Sequence, residues 1–211
     1  MHSIAELRDT SRAKMDAYTD PSGLFSFATY DTSPTNHSDR LRPEDILAAN
    51  LLSLRLSWRE VIPLFAEGDG APQRLRTLLD AAMVSARSID RPFEAFKSLA
   101  ALDAALVPLA AANAATADVA GWTAVTVSKV LHRHAPNIVP IVDSRVLGFY
   151  GLRRPGQAKD LRHRLWQDIQ SNQAWLGDLA ADYRTPDGRP LSVLRLVDIL
   201  IWTPEPSTTL G

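Results

Sequence analysis

The residues best placed to do chemistry lie in one stretch, residues 120–146, which reads AGWTAVTVSKVLHRHAPNIVPIVDSRV. Within it, Asp143 follows a short apolar segment and stands where a new helix begins, so its carboxylate can accept hydrogen bonds from the first free backbone amides. A carboxylate at a helix mouth can also stabilise the positive charge that develops on the sugar carbon when a glycosidic bond breaks. Asp143 is therefore interpreted as a helix cap, a catalytic group, or both.

Lys129 is the second candidate for catalysis, and it follows Ser128 on the helix predicted for residues 124–134. A lysine on such a helix is commonly solvated. The alternative is a buried lysine that pairs with Asp143 or Asp198, or that donates a hydrogen bond to a substrate. A buried charge needs a partner, so burial would place Lys129 beside one of these carboxylates.

Basic side chains lie at the end of the same helix and beyond it. His132 and His134 are two residues apart and therefore lie on different helix faces, which argues against a shared metal ion. With Arg133 they can form a basic patch together with cationic residues further along the chain: Arg153, Arg154, Lys159, Arg162, His163 and Arg164. We interpret this patch either as a phosphate-binding surface or as a solvated helix face.

An aromatic segment near the N-terminus is a candidate for closing a site. Residues 24–30, LFSFATY, alternate in character and predict an extended arm laid over the core. The arm ends at Tyr30 and Asp31, which either pack and form a turn or close a ligand pocket against Asp143.

The last predicted helix, residues 192–202, contains a polar stripe in an otherwise apolar sequence. A helix that is apolar nearly all round is a buried helix. Its exceptions, Ser192, Arg195 and Asp198, recur every three residues and so share one face. Because buried charges are paired, this spacing predicts an Arg195–Asp198 ion pair, which is either structural or, beside a pocket, part of ligand recognition.

The layout of residues 120–146 resembles the helix-hairpin-helix DNA glycosylase superfamily. In that superfamily a Gly-rich hairpin leads into a helix, and a segment of the form P-I-x-D-x-x-V carries the catalytic aspartate. Here PIVDSRV, residues 140–146, matches that segment. Gly121 and Trp122 match the first hairpin glycine and the apolar tip, whereas Thr123 stands at the second glycine.

The resemblance implies an N-glycosylase in which Asp143 is catalytic and the hairpin contacts the DNA backbone. Val125 stands where bifunctional members have a catalytic lysine, so the resemblance implies a monofunctional enzyme with no covalent lysine adduct and no strand cleavage. A target base in DNA would be flipped into a pocket, with Trp122, Tyr150 or Tyr30 as its walls.

Several short motifs are also similar to one bacterial domain family whose activity is uncharacterised. They are RPEDIL at residues 42–47, LLS at 51–53, SKVL at 128–131 and LRLVD at 194–198, continuing to Trp202. This second resemblance supports the boundaries of the domain and implies no activity.

The composition limits the class of protein. A chain of 211 residues with 45% hydrophobic content can form one domain, with an N-terminal helix and arm at 1–41, a helical core at 42–204 and a tail at 205–211. The absence of cysteine excludes disulfides, iron–sulfur clusters and thiolate zinc sites, so we expect no cofactor and no metal. No apolar run is long enough for a membrane span, so we expect no membrane partner. The first residues, MHSIAELRDTSRAK, carry charges where a signal peptide is apolar, which together with the lack of cysteine predicts a cytoplasmic protein.

The charge limits the partners. Proteins that bind duplex DNA normally carry a strong basic excess, because neutralising phosphates supplies much of their affinity. This chain has a net charge of −1. Any DNA contact must therefore come from a local patch, or the substrate is a nucleoside-like small molecule. The oligomeric state is not indicated.

Together these features predict an all-α fold, a helical bundle with a central helix-hairpin-helix element and a short extended N-terminal arm. The expected function is hydrolysis of an N-glycosidic bond by Asp143 and Lys129; the alternatives are a non-catalytic nucleic-acid or ligand-binding module and an enzyme of a small metabolite. The residues expected to contact substrate are Tyr30, Asp31, Trp122, Ser128, Ser144, Arg145, Tyr150, Arg195, Asp198 and Trp202. Those expected to contact a nucleic-acid backbone are Gly121, Thr123, His132, Arg133, Arg153 and Arg154.

Overall fold

The fold is a bundle of α-helices, which confirms the predicted all-α class. A computed structural model describes residues 2–23, 25–34 and 37–204. Within those ranges there is no β-strand, and the one β-bridge joins Arg184 to Pro190. The helices are α1 Ser11–Thr19, α2 Phe27–Tyr30, α3 Pro43–Leu47, α4 Trp58–Phe65, α5 Ala71–Arg87, α6 Leu99–Ala105, α7 Val107–Ala115, α8 Ala124–His132, α9 Ser144–Phe149, α10 Ala158–Ala181 and α11 Val193–Trp202.

Four of the described α-helices, α4, α6, α9 and α11, begin at polar residues that cap them through the side chain. Ser57 Oγ accepts a hydrogen bond from the Arg59 amide at 3.2 Å, at the start of α4. Asp143 caps α9 and Ser192 caps α11 in the same way. Such oxygens satisfy backbone N–H groups that have no partner inside the helix. The predicted starts of α9 and α11 are therefore confirmed.

The sequence pattern predicts long helices over residues 42–56 and 92–112, and both are broken in the structure. The helix predicted for residues 92–112 is instead a 3-10 turn at Phe93–Ala95 followed by α6 and α7. Pro108 lies in the first turn of α7, where its missing N–H costs nothing. Likewise, the helix predicted from residue 42 to 56 changes at Ala48–Leu52 into a 3-10 turn.

The prediction of an extended arm over residues 24–30 is wrong for the residues of this segment that the structure describes. Leu24 lies outside the described residues, and Phe27–Tyr30 forms the single helical turn α2. The amide of Tyr30 donates to the carbonyl of Ser26 at 2.8 Å. This turn points the Tyr30 side chain inward, where its hydroxyl donates to the backbone carbonyl of Lys129 at 2.7 Å. The segment still lies over the core, but as a helical turn.

Helices α8 and α11 form the centre of the bundle. Every residue of α8 except Val125 is buried, and so are the first eight residues of α11. Helix α8 contacts α5, α7 and the Ala48–Leu52 turn, whereas α11 contacts α1, α9 and α10. These two helices therefore carry their polar side chains into the interior, where each charge needs a partner.

The connection from α7 to α8 is a tight turn that depends on glycine. Gly121 has a φ of 79°, and a Cβ atom there would lie 2.6 Å from Cγ of Glu60. Thr123 then precedes α8 without a side-chain cap. The turn links two helices, but its assignment as a helix-hairpin-helix element remains a prediction.

Across the described residues, no single helix has both the length and the apolar character needed to cross a membrane. Two consecutive segments, Leu99–Ala105 and Val107–Asp118, have the length and apolar composition of a membrane span only when they are taken together, and a bend of 63° lies between them.

Candidate functional site

A cavity of ≈ 100 Å³ brings together several of the charged residues singled out in the sequence. We call it the site cavity. It lies where α1, α8, α11 and the start of α9 meet the Ala48–Leu52 turn. Its lining residues are Tyr18, Phe25, Ser26, Leu51, Leu52, Ser53, Lys129, Ile141, Asp143, Arg195, Asp198 and Trp202.

Asp143 is both a helix cap and a wall of the site cavity. Its Oδ1 accepts hydrogen bonds from the amides of Arg145 and Val146, each at 2.9 Å. Its Oδ2 lies 3.8 Å from Nζ of Lys129. Capping therefore uses one oxygen and fixes the carboxylate, while the other oxygen is held beside the lysine.

Ser128 ties the segment before Asp143 to α8. Its Oγ accepts a hydrogen bond from the Val142 amide at 2.9 Å and lies 2.9 Å from the Val125 carbonyl, to which it donates. The serine thus positions the strand-like segment that leads into Asp143, and it does not line the cavity itself.

Lys129 is buried, so the interpretation as a solvated lysine is wrong and the buried alternative is confirmed. Its ammonium donates to the Leu52 carbonyl at 2.7 Å and faces Asp143. Burial lowers the pKa of Lys129 by disfavouring its charged form, although Asp143 and Asp198 act in the opposite sense. Next to Leu52, Ser53 adopts a φ of 62°. Strained backbone of this kind costs energy and is concentrated at functional sites.

Arg195 is the centre of a buried ion-pair network. Its Nε and Nη2 donate to the two oxygens of Asp31 at 2.7 and 2.8 Å. Its Nη1 donates to Oδ2 of Asp198, and its Nη2 also donates to the Tyr18 hydroxyl at 3.0 Å. Burial alone would lower the pKa of Arg195, but the facing carboxylate of Asp31 raises it well above its ordinary value. The predicted Arg195–Asp198 pair is confirmed, with Asp31 as an additional partner.

Asp198 differs from the other carboxylates in this network. Burial raises its pKa to about 7, which outweighs the opposite effect of Arg195. The cluster holds three carboxylates, those of Asp31, Asp143 and Asp198, against the two cations of Lys129 and Arg195. The site cavity is therefore neutral or negatively charged, and it is unsuited to a phosphate group.

Aromatic rings form one wall of the site cavity. Tyr18 stacks on Phe25 with ring centroids 4.6 Å apart, and both meet the Trp202 ring edge-on. Arg145 lies behind this wall, with its guanidinium carbon 4.6 Å from the Trp202 ring centre and its Nη1 donating to the Trp202 carbonyl. Arg145 and the exposed Ser144 do not line the cavity.

Trp122 and Tyr150, two of the aromatic residues expected around a substrate, lie elsewhere, and Tyr30 does not line the site cavity either. Trp122 is buried at the α7–α8 turn, where its indole N–H donates to the Glu60 carbonyl at 3.0 Å. Tyr150 donates to Asp168 at 3.1 Å, and burial raises its pKa. Each ring fills a separate part of the core and satisfies its polar group there, so neither is a wall of the site cavity.

The predicted basic patch is not a continuous surface. His132 is buried, its Nδ1 lies 2.6 Å from the Val139 carbonyl, and burial lowers its pKa to about 4. Arg133 donates to the carbonyls of Tyr30 and Thr32. His132 is thus wrong as a backbone contact, because its side chain is inside the core. Arg153 and Arg154 are exposed, and Gly121 and Thr123 form the turn before α8.

Several residues of the site were not singled out from the sequence as ligand contacts. Three of them line the cavity from segments that lie more than 70 positions before Lys129: Tyr18, Phe25 and Leu52. No local spacing in the sequence indicates that these segments come together. The closest signal was the LLS motif at residues 51–53. Within the described ranges, no group of three or more His, Asp or Glu side chains is arranged to hold a metal ion.

Comparison with protein families places the chain in one of them. The model described as "Family of unknown function (DUF6308)" matches residues 11–205. The chain belongs to this family. Neither the comparison with curated proteins nor that with solved structures found a match.

Proposed function

We propose that this chain hydrolyses an N-glycosidic bond and that the reaction takes place in the site cavity. The observation that carries the proposal is the position of Asp143, a buried carboxylate fixed at a helix mouth, beside Lys129 on the wall of a cavity with aromatic rings. Cleavage of such a bond passes through a cation-like sugar, and glycoside-cleaving enzymes use carboxylates to stabilise it. Asp143 would face the sugar carbon, or orient the attacking water.

The fixed geometry of Asp143 favours this role. Two amides hold its Oδ1, so the carboxylate does not need to reorganise when charge develops on a substrate. Preorganised groups of this kind stabilise a transition state more strongly than mobile ones, especially where water is excluded.

Lys129 serves in this proposal to position Asp143 and to balance its charge. Its nitrogen is already engaged by the Leu52 carbonyl and lies beside Asp143 Oδ2. We therefore expect no covalent lysine adduct during the reaction, in agreement with the valine at position 125, where the resemblance to bifunctional glycosylases requires a lysine.

The size of the cavity limits what enters it. Pockets for drug-sized ligands measure roughly 300–1,000 Å³, and a cavity of about 150 Å³ holds benzene. The site cavity, at ≈ 100 Å³, is smaller than the benzene cavity, so it admits at most one ring and must widen to do so. A base would therefore enter while its sugar stays at the mouth near Asp143.

An enzyme acting on another small metabolite is the second candidate. The net charge of −1 and the small neutral or acidic cavity favour a small ligand over duplex DNA. A binding module without catalysis is the third. Its support is that the charged groups of Arg195 and Asp31 satisfy each other inside the protein.

A screen of substrates tests the proposal. Modified-base oligonucleotides, single-stranded and duplex, and free nucleosides are incubated with the wild type and with Asp143→Asn, and base release is measured. We expect release by the wild type from at least one substrate and none from the variant. Release from nucleosides alone would favour the small-molecule substrate. No release from any substrate would contradict the proposal.

A further inference from the structure

The two oxygens of Asp198 have different surroundings. Oδ2 accepts a hydrogen bond from Nη1 of Arg195. Oδ1 is buried and receives no hydrogen bond from any residue that the structure describes. Asp198 lines the site cavity, and a buried polar atom without a partner is costly. A ligand atom that hydrogen-bonds to Oδ1 would remove this cost.

The guanidinium also determines where a proton on this carboxyl group resides. Arg195 can only donate hydrogen bonds, so Oδ2 must remain an acceptor, and a proton on Asp198 is held by Oδ1. In its protonated form Asp198 thus presents a hydrogen-bond donor to the site cavity.

The charged and titratable groups around Asp198 come from every neighbouring element. They are Arg195 on the same helix, Asp143 before α9, Lys129 on α8, Asp31 after α2 and Tyr18 on α1. Burial is the largest influence and raises the pKa of Asp198 to about 7. Both protonation states are therefore populated near neutral pH.

We propose that Oδ1 of Asp198 donates a hydrogen bond to a ring nitrogen of a six-membered nitrogen heterocycle in the site cavity, and that during cleavage it transfers that proton to the leaving base. The hydrogen bond to the heterocycle defines a ligand class and does not depend on the proposed function. The proton transfer to the leaving base rests on the proposed function.

The proposed proton transfer begins a balanced sequence of steps. The proton moves from Asp198 Oδ1 to the ring nitrogen, and the bond between the sugar carbon and the base breaks with its electron pair going to the base. A water molecule then adds to the sugar carbon, and its proton returns to the Asp198 carboxylate. The products are the neutral base and the sugar with a new hydroxyl group.

Binding of a free base tests the ligand class without any need for cleavage. Cytosine has an unprotonated ring nitrogen, whereas uracil carries a proton on each ring nitrogen. The affinity of both bases is measured by NMR titration or calorimetry between pH 5.5 and 8.5, for the wild type and for Asp198→Asn. Asp103→Asn, the same change in an ion-pair cluster outside the cavity, is the matched control.

We expect cytosine affinity of the wild type to fall about tenfold per pH unit above pH 7, because only the protonated carboxyl group donates to the ring nitrogen. Asp198→Asn should bind cytosine without this pH dependence, since its amide N–H₂ donates at every pH. Uracil affinity should not fall as the pH rises. The control variant should behave as the wild type.

Two results would overturn the ligand class: cytosine affinity that does not depend on pH, or the same dependence in Asp198→Asn. Absence of cytosine binding to the wild type at pH 5.5 would also overturn it. Base release then tests the proton transfer separately. Asp198→Asn should bind but lose at least about a hundredfold in rate, the scale of acid catalysis. Undiminished release by this variant would overturn the transfer and leave the proposed hydrolysis intact.

Discussion

Two carboxylates of this protein, Asp198 and Asp103, sit among cations, yet their chemistry differs. Asp103 accepts hydrogen bonds from Arg162 and His163 at 2.8 Å, and Lys159 lies 3.4 Å away. Burial acts to raise its pKa, but these partners outweigh burial and lower it. At Asp198, burial prevails and raises the pKa to about 7.

The difference follows from access to water and from the number of cations. The Asp103 side chain is 25% exposed and has two cationic neighbours, Arg162 and Lys159, besides the His163 ring. The Asp198 side chain is 8% exposed and shares Arg195 with Asp31. Both oxygens of Asp103 accept hydrogen bonds, and this carboxylate joins helices α6 and α10. A carboxylate with one unsatisfied oxygen in a cavity is available for chemistry.

The largest expected effect comes from removing the shared cation. Arg195→Ala leaves Asp31 and Asp198 buried without their partner, and breaking a buried pair costs about 3–5 kcal/mol. Arg162→Ala leaves Asp103 with Lys159, the His163 ring and water, so its cost should be smaller, about 1–3 kcal/mol. Urea unfolding at pH 7 measures both. Equal costs for the two variants would mean that the clusters do not differ in the way described.

The next effect is a difference in how stability depends on pH. Because the folded-state pKa of Asp198 is raised, its contribution to stability is complete below pH 4 and is lost as the pH rises through about 7. The free energy of unfolding of the wild type minus that of Asp198→Asn should therefore fall between pH 4 and 7, by at most about 1.4 kcal/mol per unit.

Asp103→Asn is the control for this dependence. Its folded-state pKa is lowered, so its contribution is present above pH 4 and is lost only at lower pH. Measured in a His163→Gln background, which removes the imidazole 2.8 Å from Asp103, the difference caused by Asp103→Asn should stay constant between pH 5 and 7. A constant difference for Asp198→Asn over the same range would contradict the raised pKa.

The smallest effect is expected at the exposed edge of the Asp103 cluster. Lys159 is 66% exposed on its side chain, and exposed ion pairs contribute little, typically about 0–1 kcal/mol. Lys159→Ala should therefore change the free energy of unfolding by less than about 1 kcal/mol, with a still smaller change in high salt. A larger loss, measured by urea unfolding, would show that Asp103 depends on Lys159 as well as on Arg162.

Features set by neighbours in the sequence could be predicted. The capping residues Asp143 and Ser192 act on amides two or three positions ahead, and the Arg195–Asp198 pair spans one helical turn. The all-α class follows from the same local periodicity. These predictions needed no knowledge of the tertiary structure.

Features set by distant segments could not be predicted. Asp31 pairs with Arg195 across 164 positions, and nothing in the pattern near either residue indicates the other. That partner changes an expectation from the sequence, by which Asp198→Ala would leave Arg195 unpaired at a cost of about 3–5 kcal/mol. With Asp31 bound to Arg195, the cost should be nearer 1–3 kcal/mol.

The prediction of extended structure for the aromatic segment failed for a different reason. Alternation in LFSFATY fits a strand, but the decisive contact of Tyr30 is with the Lys129 carbonyl, 99 positions away. A single helical turn places the Tyr30 ring in the core, and tertiary packing of this kind overrides a weak local preference. The same reason applies to Trp122, whose partner is the Glu60 carbonyl.

Two substitutions at Asp143, each assayed for base release and for urea unfolding, test the central claim most directly. Asparagine caps a helix about as well as aspartate, so Asp143→Asn should keep wild-type stability, whereas Asp143→Ala should lose around 1 kcal/mol. Both should abolish base release, because neither side chain offers a negative charge to the cation-like sugar. Release by Asp143→Asn at the wild-type rate would contradict the account, and Asp143 would then be a cap alone.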